Sequence, residues 1–215
     1  MVEKHALVSG GTGLIGKQLC QILDNDPEFK TVTSLVRKSK GSKYSKIAEV
    51  STDFDALSST ELSNEVTDAF CCLGTTMKKA GSKSAFYKVD YEYVLAFAKL
   101  ALVQGAKNFY LVSSMGADPN SLFYYNKVKG KIEAALNKLS FKSLHIYRPS
   151  MLLGDREEAR IGESIGKFVF GTLDPILPSN YKGIAGQQVA KAMVKQAKQE
   201  KEGHHIYLSG EIAEM

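Results

Sequence analysis

A run of small residues near the N-terminus, Ser9-Gly10-Gly11-Thr12-Gly13-Leu14-Ile15-Gly16, narrows the possible folds more than any other stretch of this chain. It follows a short apolar run at 5–8 and opens an amphipathic run at 14–23. That order predicts strand, glycine turn, helix. The glycines satisfy two dinucleotide spacings at once, Gly11-x-Gly13-x-x-Gly16 and Gly10-x-x-Gly13-x-x-Gly16. Glycine is needed because backbone N–H groups must come close to a pyrophosphate, and the helix N-terminus adds a partial positive charge. The last glycine lets helix and strand pack tightly. Gly10, Gly11, Thr12, Gly13, Leu14, Ile15 and Gly16 are therefore candidate cofactor-binding residues.

Strand and helix patterns alternate along the rest of the chain, which predicts an α/β sheet. Strands are expected at 5–9, 31–36, 47–51, 68–73, 108–113, 143–148 and 205–209. Helices are expected at 14–23, 89–104, 123–139 and 186–199, with a weak helix or irregular turn at 57–66, a loop at 74–84 and a further helix at 163–170. The run Ala69-Phe70-Cys71-Cys72-Leu73 is apolar throughout, as a central strand covered on both faces would be. No repeat or linker interrupts the pattern. The expectation is one domain over 1–215, with 150–203 covering the substrate side.

Composition excludes several classes. With 215 residues, 44% of them hydrophobic, the chain is long enough for one domain with a sizeable core. No apolar run approaches the ~20 residues of a membrane span, and with a strand read from His5 no signal peptide is expected. The net charge of +5 is mild, and an anionic cofactor accounts for it as well as nucleic acid would. One tyrosine, Tyr44, in the basic loop 37–46 is thin support for nucleic-acid binding. Cys20, Cys71 and Cys72 form no Cys-x-x-Cys pair and read as reduced thiols of a cytoplasmic protein. His5, His145, His204 and His205 lie in or beside expected strands without carboxylates or cysteines at ligand spacing, so no metal site is expected. No Gly-x-x-x-x-Gly-Lys-Ser/Thr loop is present.

The end of the second strand faces the adenosine ribose in a dinucleotide fold, and a carboxylate there favours NAD. This chain offers Leu35-Val36-Arg37-Lys38 instead. Arg37 and Lys38 suit a 2′-phosphate, and NADP(H) is expected over NAD(H). Asp53, after the third strand, is positioned to accept from the adenine amino group or to serve as a turn residue. Leu73, Gly74 and Thr75 end the fourth strand, where ligands cross open α/β sheets.

Tyr125 and Lys129 stand at i and i+4 on one helical face, following a strand that ends in Ser113-Ser114. A lysine ammonium beside a tyrosine lowers the phenol pKa from its model value of about 10. The phenol can then exchange a proton with a substrate oxygen while a nicotinamide exchanges a hydride. Ser114, or alternatively Ser113, supplies a hydroxyl to the same oxygen, with Ser114 the expected one.

The glycine motif, Ser113-Ser114 and Tyr125-x-x-x-Lys129, in that order, resemble the short-chain dehydrogenase/reductase superfamily. The segments Phe70-Cys71-Cys72-Leu73-Gly74-Thr75-Thr76, Val89-Asp90-Tyr91, Val112-Ser113-Ser114-Met115-Gly116-Ala117 and Tyr147-Arg148-Pro149-Ser150-Met151-Leu152-Leu153-Gly154-Asp155-Arg156 look like one atypical branch, the HIV Tat-interacting-protein-like oxidoreductases. The resemblance covers nearly the whole chain. It implies a Rossmann fold of strand order 3-2-1-4-5-6, bound NADPH and cofactor contacts at Gly10 to Gly16, Arg37, Lys38, Leu73, Gly74, Tyr125, Lys129 and Leu152. Arg148 lies in the last of the matching segments, and Arg160 matches the arginine that follows the Asp-Arg-Glu segment in that branch; both are candidate contacts. The implied activity is hydride transfer to or from a small carbonyl or alcohol. Relatives in the branch also act as regulators that bind other proteins, so an NADPH-binding sensor with little turnover is an alternative. A sugar-nucleotide epimerase is a third reading, which the short C-terminal part disfavours.

Overall fold

The computed structural model describes residues 3–153, 178–199 and 201–215. β1 (Lys4–Ser9) runs into α1 (Leu14–Asn25), and β2 (Phe29–Val36) returns beside β1. β3 (Ile47–Ser51) and a 3-10 turn (Phe54–Ser59) follow. After β4 (Asp68–Cys71) come α2 (Met77–Ala80), α3 (Lys83–Tyr87), a π-helical turn (Lys88–Glu92) and α4 (Tyr93–Val103). β5 (Asn108–Val112), α5 (Tyr124–Leu136) and β6 (Ser143–Arg148) complete the central units. β7 (Leu152–Leu153) pairs with β8 (Ile184–Ala185), and α6 (Gly186–Gln199), β9 (Gly203–Leu208) and α7 (Ser209–Glu214) end the chain.

Seven strands form one sheet in the order β3-β2-β1-β4-β5-β6-β9, with every pairing parallel. This is a Rossmann-type α/β fold with a strand added beyond β6. Alternation along the strands divides the core. Ala6, Val8, Phe70 and Tyr147 face α1 and α6, while Leu7, Ala69, Cys71, Leu111 and Ile146 face α4 and α5. Both faces of each inner strand are covered, which is why those strands read as continuous apolar runs. Of the segment 150–203, α6 lies on the sheet face against α1, where Val189, Ala190 and Met193 join Leu19 and Leu23. Lys198 extends this contact, its Nζ 3.0 Å from both Asp26 and Glu28.

Several boundaries differ from the sequence reading for identifiable reasons. The expected loop at 74–84 contains α2 and the start of α3, capped by the hydroxyls of Thr76 and Ser82. The helix expected at 89–104 begins with the π turn, and its buried stripe includes Phe97 and Ala101, with Leu95 and Leu102 only partly covered. A π turn holds more residues per turn than an α turn, so it rotates the stripe. The helix or turn expected at 57–66 is the 3-10 turn Phe54–Ser59. The β7–β8 ladder and α7 are too short to carry a periodic signal. The helix expected at 163–170 lies outside the described residues.

One buried histidine ties β6 to the added strand. His145 stacks on Tyr110, with centroids 5.0 Å apart, and its Nδ1 lies 3.0 Å from the Tyr207 hydroxyl. Burial, with His205 alongside, pushes its pKa down to about 4. The native state therefore favours the neutral ring. The stability this contributes is present above the unfolded value of about 6.5 and is lost as pH falls toward 4. His145→Phe keeps a ring in the stack and removes the titration. Its unfolding free energy in urea should fall by roughly 2 kcal/mol less than that of the wild type between neutral pH and about pH 4. Parallel pH profiles would show that His145 does not set this dependence.

Candidate functional site

The site is built at the carboxyl ends of β1, β4, β5 and β6, beginning with the glycine turn. Gly10 has φ +76°, and a Cβ there would lie 2.5 Å from the Cys72 carbonyl. A Cβ on Gly16 would lie 2.1 Å from the Gly10 oxygen, and one on Gly11 would lie 2.6 Å from Ser34 Oγ. The turn therefore presses backbone against backbone and against β2. Gly13 precedes the first helical residue with no side-chain cap, and the first turn of α1 carries no acidic residue. The helix N-terminus thus keeps its partial positive charge for an external anion, beside the space that a Gly13 Cβ would enter. Thr12 is exposed there, and Leu14 and Ile15 form the first turn. These features fit a dinucleotide pyrophosphate.

Arg37 and Lys38 follow β2 and are exposed. Arg37 lines a cleft of about 560 Å³ with Ser51, Thr52, Asp53, Phe54, Asp55 and Tyr93. Asp53 caps the 3-10 turn, one of its oxygens accepting the Asp55 N–H at 2.9 Å, so it is a turn residue in this cleft. Asp55 is held by Lys88 Nζ at 2.6 Å and by the Tyr93 hydroxyl at 3.0 Å.

The β5 end distinguishes the two adjacent serines. The Ser113 hydroxyl donates to Glu133 Oε1, and Glu133 also receives Nε and Nη2 of Arg148. Ser113 and Arg148 are therefore both committed to one buried carboxylate on α5. The Ser114 Oγ is buried and has no hydrogen-bond partner among the described residues. The loop after it turns back over α5. Gly116 takes φ +78°, and Gly130 is required because a Cβ there would sit 2.2 Å from the Asp118–Pro119 backbone.

On α5, the Tyr125 ring packs against Phe86 of α3 at 5.3 Å. Lys129, one turn on, is buried, and its Nζ lies 2.7 Å from Asp90 Oδ1. Burial alone would push the lysine pKa down, but the Asp90 carboxylate outweighs it and the ammonium is held above its usual range. Asp90 Oδ2 accepts the Thr75 N–H at 2.9 Å. A Cβ on Gly74 would lie 3.4 Å from Asp90 Oδ1 and 3.6 Å from Lys129 Nζ, so the strand-end loop Leu73-Gly74-Thr75 and Lys129 lie together. The sequence reading names Asp90 only within the segment Val89-Asp90-Tyr91 and gives it no role in the site. Its signal was its spacing of four and seven residues from Val94 and Phe97, a carboxylate in phase with an apolar stripe.

Leu152, on β7, packs against the core on the α1 side. Arg160 lies outside the described residues. The thiols of Cys20 and Cys71 are pushed up to about 11, chiefly by burial, and Cys72 is also raised, which suits unreactive thiols. Among the described residues, no group of three or more His, Cys, Asp or Glu side chains is arranged to hold a metal. No helix among them is long and apolar enough to cross a membrane.

Comparison with known proteins bears on the family and the fold. Residues 5–90 match the family described as semialdehyde dehydrogenase, NAD binding domain. Protein HTATIP2 of Rattus norvegicus is 38% identical over 185 residues, covering 84% of this chain and 76% of that protein. Protein FMP52 of Candida albicans, named as mitochondrial, is 34% identical over 213 residues, covering 87% of this chain and 92% of the relative. Among solved structures, MoeE5 in complex with UDP-glucuronic acid and NAD aligns over 96% of this chain and 76% of its own, with TM-score 0.72 and 15% identity. The human epimerase family protein SDR39U1 with NADPH aligns over 94% and 72%, with TM-score 0.65 and 19% identity. At these identities the structural likeness concerns the fold.

The two serines should separate in stability. Ser113→Ala removes a buried donor to Glu133 and should cost about 1–2 kcal/mol in urea unfolding. Ser114→Ala should stay within about 0.5 kcal/mol of wild type. Equal losses would show that the Ser114 hydroxyl is structurally engaged.

Proposed function

Because the chain belongs to the HTATIP2-like branch of the short-chain dehydrogenase/reductase superfamily, we propose that it is an NADP(H)-dependent oxidoreductase acting on a small carbonyl compound or the corresponding alcohol. An NAD(P)-binding Rossmann domain is common ground for the family match and the fold. The observation that carries the finer reading is the contrast at the β5 end: Ser113 is committed to Glu133, and Ser114 keeps an unengaged, buried hydroxyl.

In this reading the Tyr125 hydroxyl gives a proton to the substrate oxygen during reduction and takes it back during oxidation. The Ser114 hydroxyl donates a hydrogen bond to the same oxygen and orients it. Lys129 holds positive charge beside Tyr125 and bonds the nicotinamide ribose. When bound, the nicotinamide supplies or takes the hydride. Gly10 to Gly16 cradle the pyrophosphate, Arg37 and Lys38 meet the 2′-phosphate, and Asp53 borders the adenine. Leu73, Gly74, Thr75 and Leu152 line the nicotinamide half. Arg148 acts through Glu133, steadying the β6 and β5 ends. NADP(H) is preferred over NAD(H) because the β2 end offers two cations and no carboxylate. NADPH in SDR39U1 is in keeping with this preference, while MoeE5 holds NAD. Three free cysteines suit a reducing compartment such as the cytoplasm. The name of the Candida relative makes the mitochondrion the compartment to test against it.

The test is calorimetric titration of nucleotide-free protein with NADPH and NADH, for wild type and Arg37→Ala. NADPH should bind at least about tenfold more tightly than NADH, and Arg37→Ala should remove most of that difference. Equal affinities would overturn the cofactor assignment. Tyr125→Phe should then lower kcat by about 10²–10⁴-fold on an active carbonyl substrate, with NADPH affinity retained. Full turnover in that variant would overturn the mechanism. Tight NADPH binding with no turnover across a carbonyl panel would support the sensor reading instead.

A further inference from the structure

The end of β2 carries no carboxylate of its own, but folding brings one to it from the neighbouring strand. From Arg37 to Ala48 the charges are all basic, and the first acid after them is Glu49 of β3. The loop after β2 closes back on this residue. Glu49 Oε2 accepts the Ser39 hydroxyl at 2.9 Å and the Lys40 N–H at 3.1 Å. Ser51, two residues further along β3, accepts the Ser39 N–H at 2.8 Å. Gly41, at φ +83°, turns the chain so that its own N–H meets the Ser39 hydroxyl at 3.2 Å. The backbone that follows Arg37 and Lys38 is thereby tied to β3.

Glu49 also lies on the side of the sheet that holds the glycine turn. It pairs with Ser34 in the parallel ladder, so both side chains leave the same face. Ser34 Oγ is the atom that a Cβ on Gly11 would meet at 2.6 Å. The Cys20 thiol, its pKa raised by burial and then by the Glu49 charge, lies 3.2 Å from the same point. The Glu49 carboxylate therefore stands between the glycine turn and the loop that carries Arg37 and Lys38.

We propose that Glu49 is a specificity-determining residue, which limits from β3 the preference for NADP(H) over NAD(H). The proposal rests on the reading of Arg37 and Lys38 as the groups that meet a 2′-phosphate.

The sign of the effect follows from the donors. Both bonds to Glu49 come from neutral groups, a hydroxyl and an amide, so they leave its negative charge standing. A 2′-phosphate entering here gains the two cations but is opposed by that charge. It also finds the Ser39 hydroxyl and the Lys40 N–H already given to the carboxylate. A ribose 2′-hydroxyl carries no charge to be opposed, and a carboxylate can accept its proton in a hydrogen bond. Sites for NAD place such a carboxylate at the end of the second strand itself. Here the adjacent strand supplies it across the ladder.

The experiment titrates nucleotide-free wild type, Glu49→Gln and Glu202→Gln with NADPH and NADH by calorimetry. The glutamine amide oxygen can accept the same two bonds, so Glu49→Gln removes the charge and keeps the loop in place. NADPH should bind about fivefold more tightly to Glu49→Gln, and NADH no more tightly than to wild type. The gain should shrink as salt is raised toward about 0.5 M, because the screening length falls below the separation of the charges. Glu202, paired with Lys142 beside the opposite edge strand, controls for net charge. Glu202→Gln should leave the ratio of the two affinities unchanged, and an equal gain there overturns the proposal. Unchanged or weaker NADPH binding by Glu49→Gln also overturns it, because Glu49 would then only brace the loop. Equal affinities of wild type for the two nucleotides would overturn the NADP(H) preference, while a rise in the ratio on Glu49→Gln would still support the role of Glu49. Binding of neither nucleotide overturns the cofactor reading and this proposal together.

Discussion

The close approach of Gly16 to the Gly10 carbonyl sets the geometry on which the site depends. No side chain fits between them: a Cβ on Gly16 would lie 2.1 Å from that oxygen. The contact fixes the angle at which α1 leaves β1, and with it the direction of the helix N-terminus. The same turn is clamped from the other side, since a Cβ on Gly10 would enter the Cys72 carbonyl. The β1 turn and the β4 end thus form one backbone surface. A surface with neither side chains nor acidic residues is what a pyrophosphate requires. Parallel pairing then brings the ends of β2, β5 and β6 to the same edge.

The two ends of the sheet treat buried charge differently. At the amino end, Asp68 is fully enclosed and accepts from Thr67, Asn108 and Tyr110. Burial raises its pKa, and Lys4 and the three donors oppose the rise. Every described partner there is structural. At the carboxyl end, two buried carboxylates each serve pairs of elements: Glu133 joins β5 and β6 through Ser113 and Arg148, and Asp90 joins the β4 loop to α5. Next to Ser113 in the chain stands Ser114, whose hydroxyl has no partner among the described residues. A polar atom buried without a partner costs free energy unless something else completes it. The proposed substrate oxygen would do so.

Much of this architecture was legible in the residues because its causes are local. A strand reads from apolar β-branched runs, a helix from 3.6-residue spacing, and a glycine turn from residues that tolerate close backbone contact. Thus β3, β6 and α6 carry the expected bounds, and the order β3-β2-β1-β4-β5-β6 follows from the family resemblance. The parts that the residues alone left open, or read differently, have physical explanations. The π turn at Lys88–Glu92 breaks the spacing on which helix phase is judged. Asp53 has the same side chain whether it borders a ligand or caps a turn, and only its bond to the Asp55 N–H shows the second role. The choice between Ser113 and Ser114 depends on Glu133, which lies on another element.

By itself, the sequence determined the alternation of strand and helix, the glycine turn and its fit to a dinucleotide, and the spacing that sets Tyr125 and Lys129 one turn apart. These follow from chemistry between near neighbours in the chain. Only the tertiary structure decided which groups are already satisfied. It pairs Lys129 with Asp90, gives Ser113 and Arg148 to Glu133, and leaves Ser114 free among the described residues. The reason is that a hydrogen bond or ion pair between distant elements depends on how a parallel sheet aligns its strand ends. That alignment depends on packing across both faces of the sheet, which no local pattern encodes.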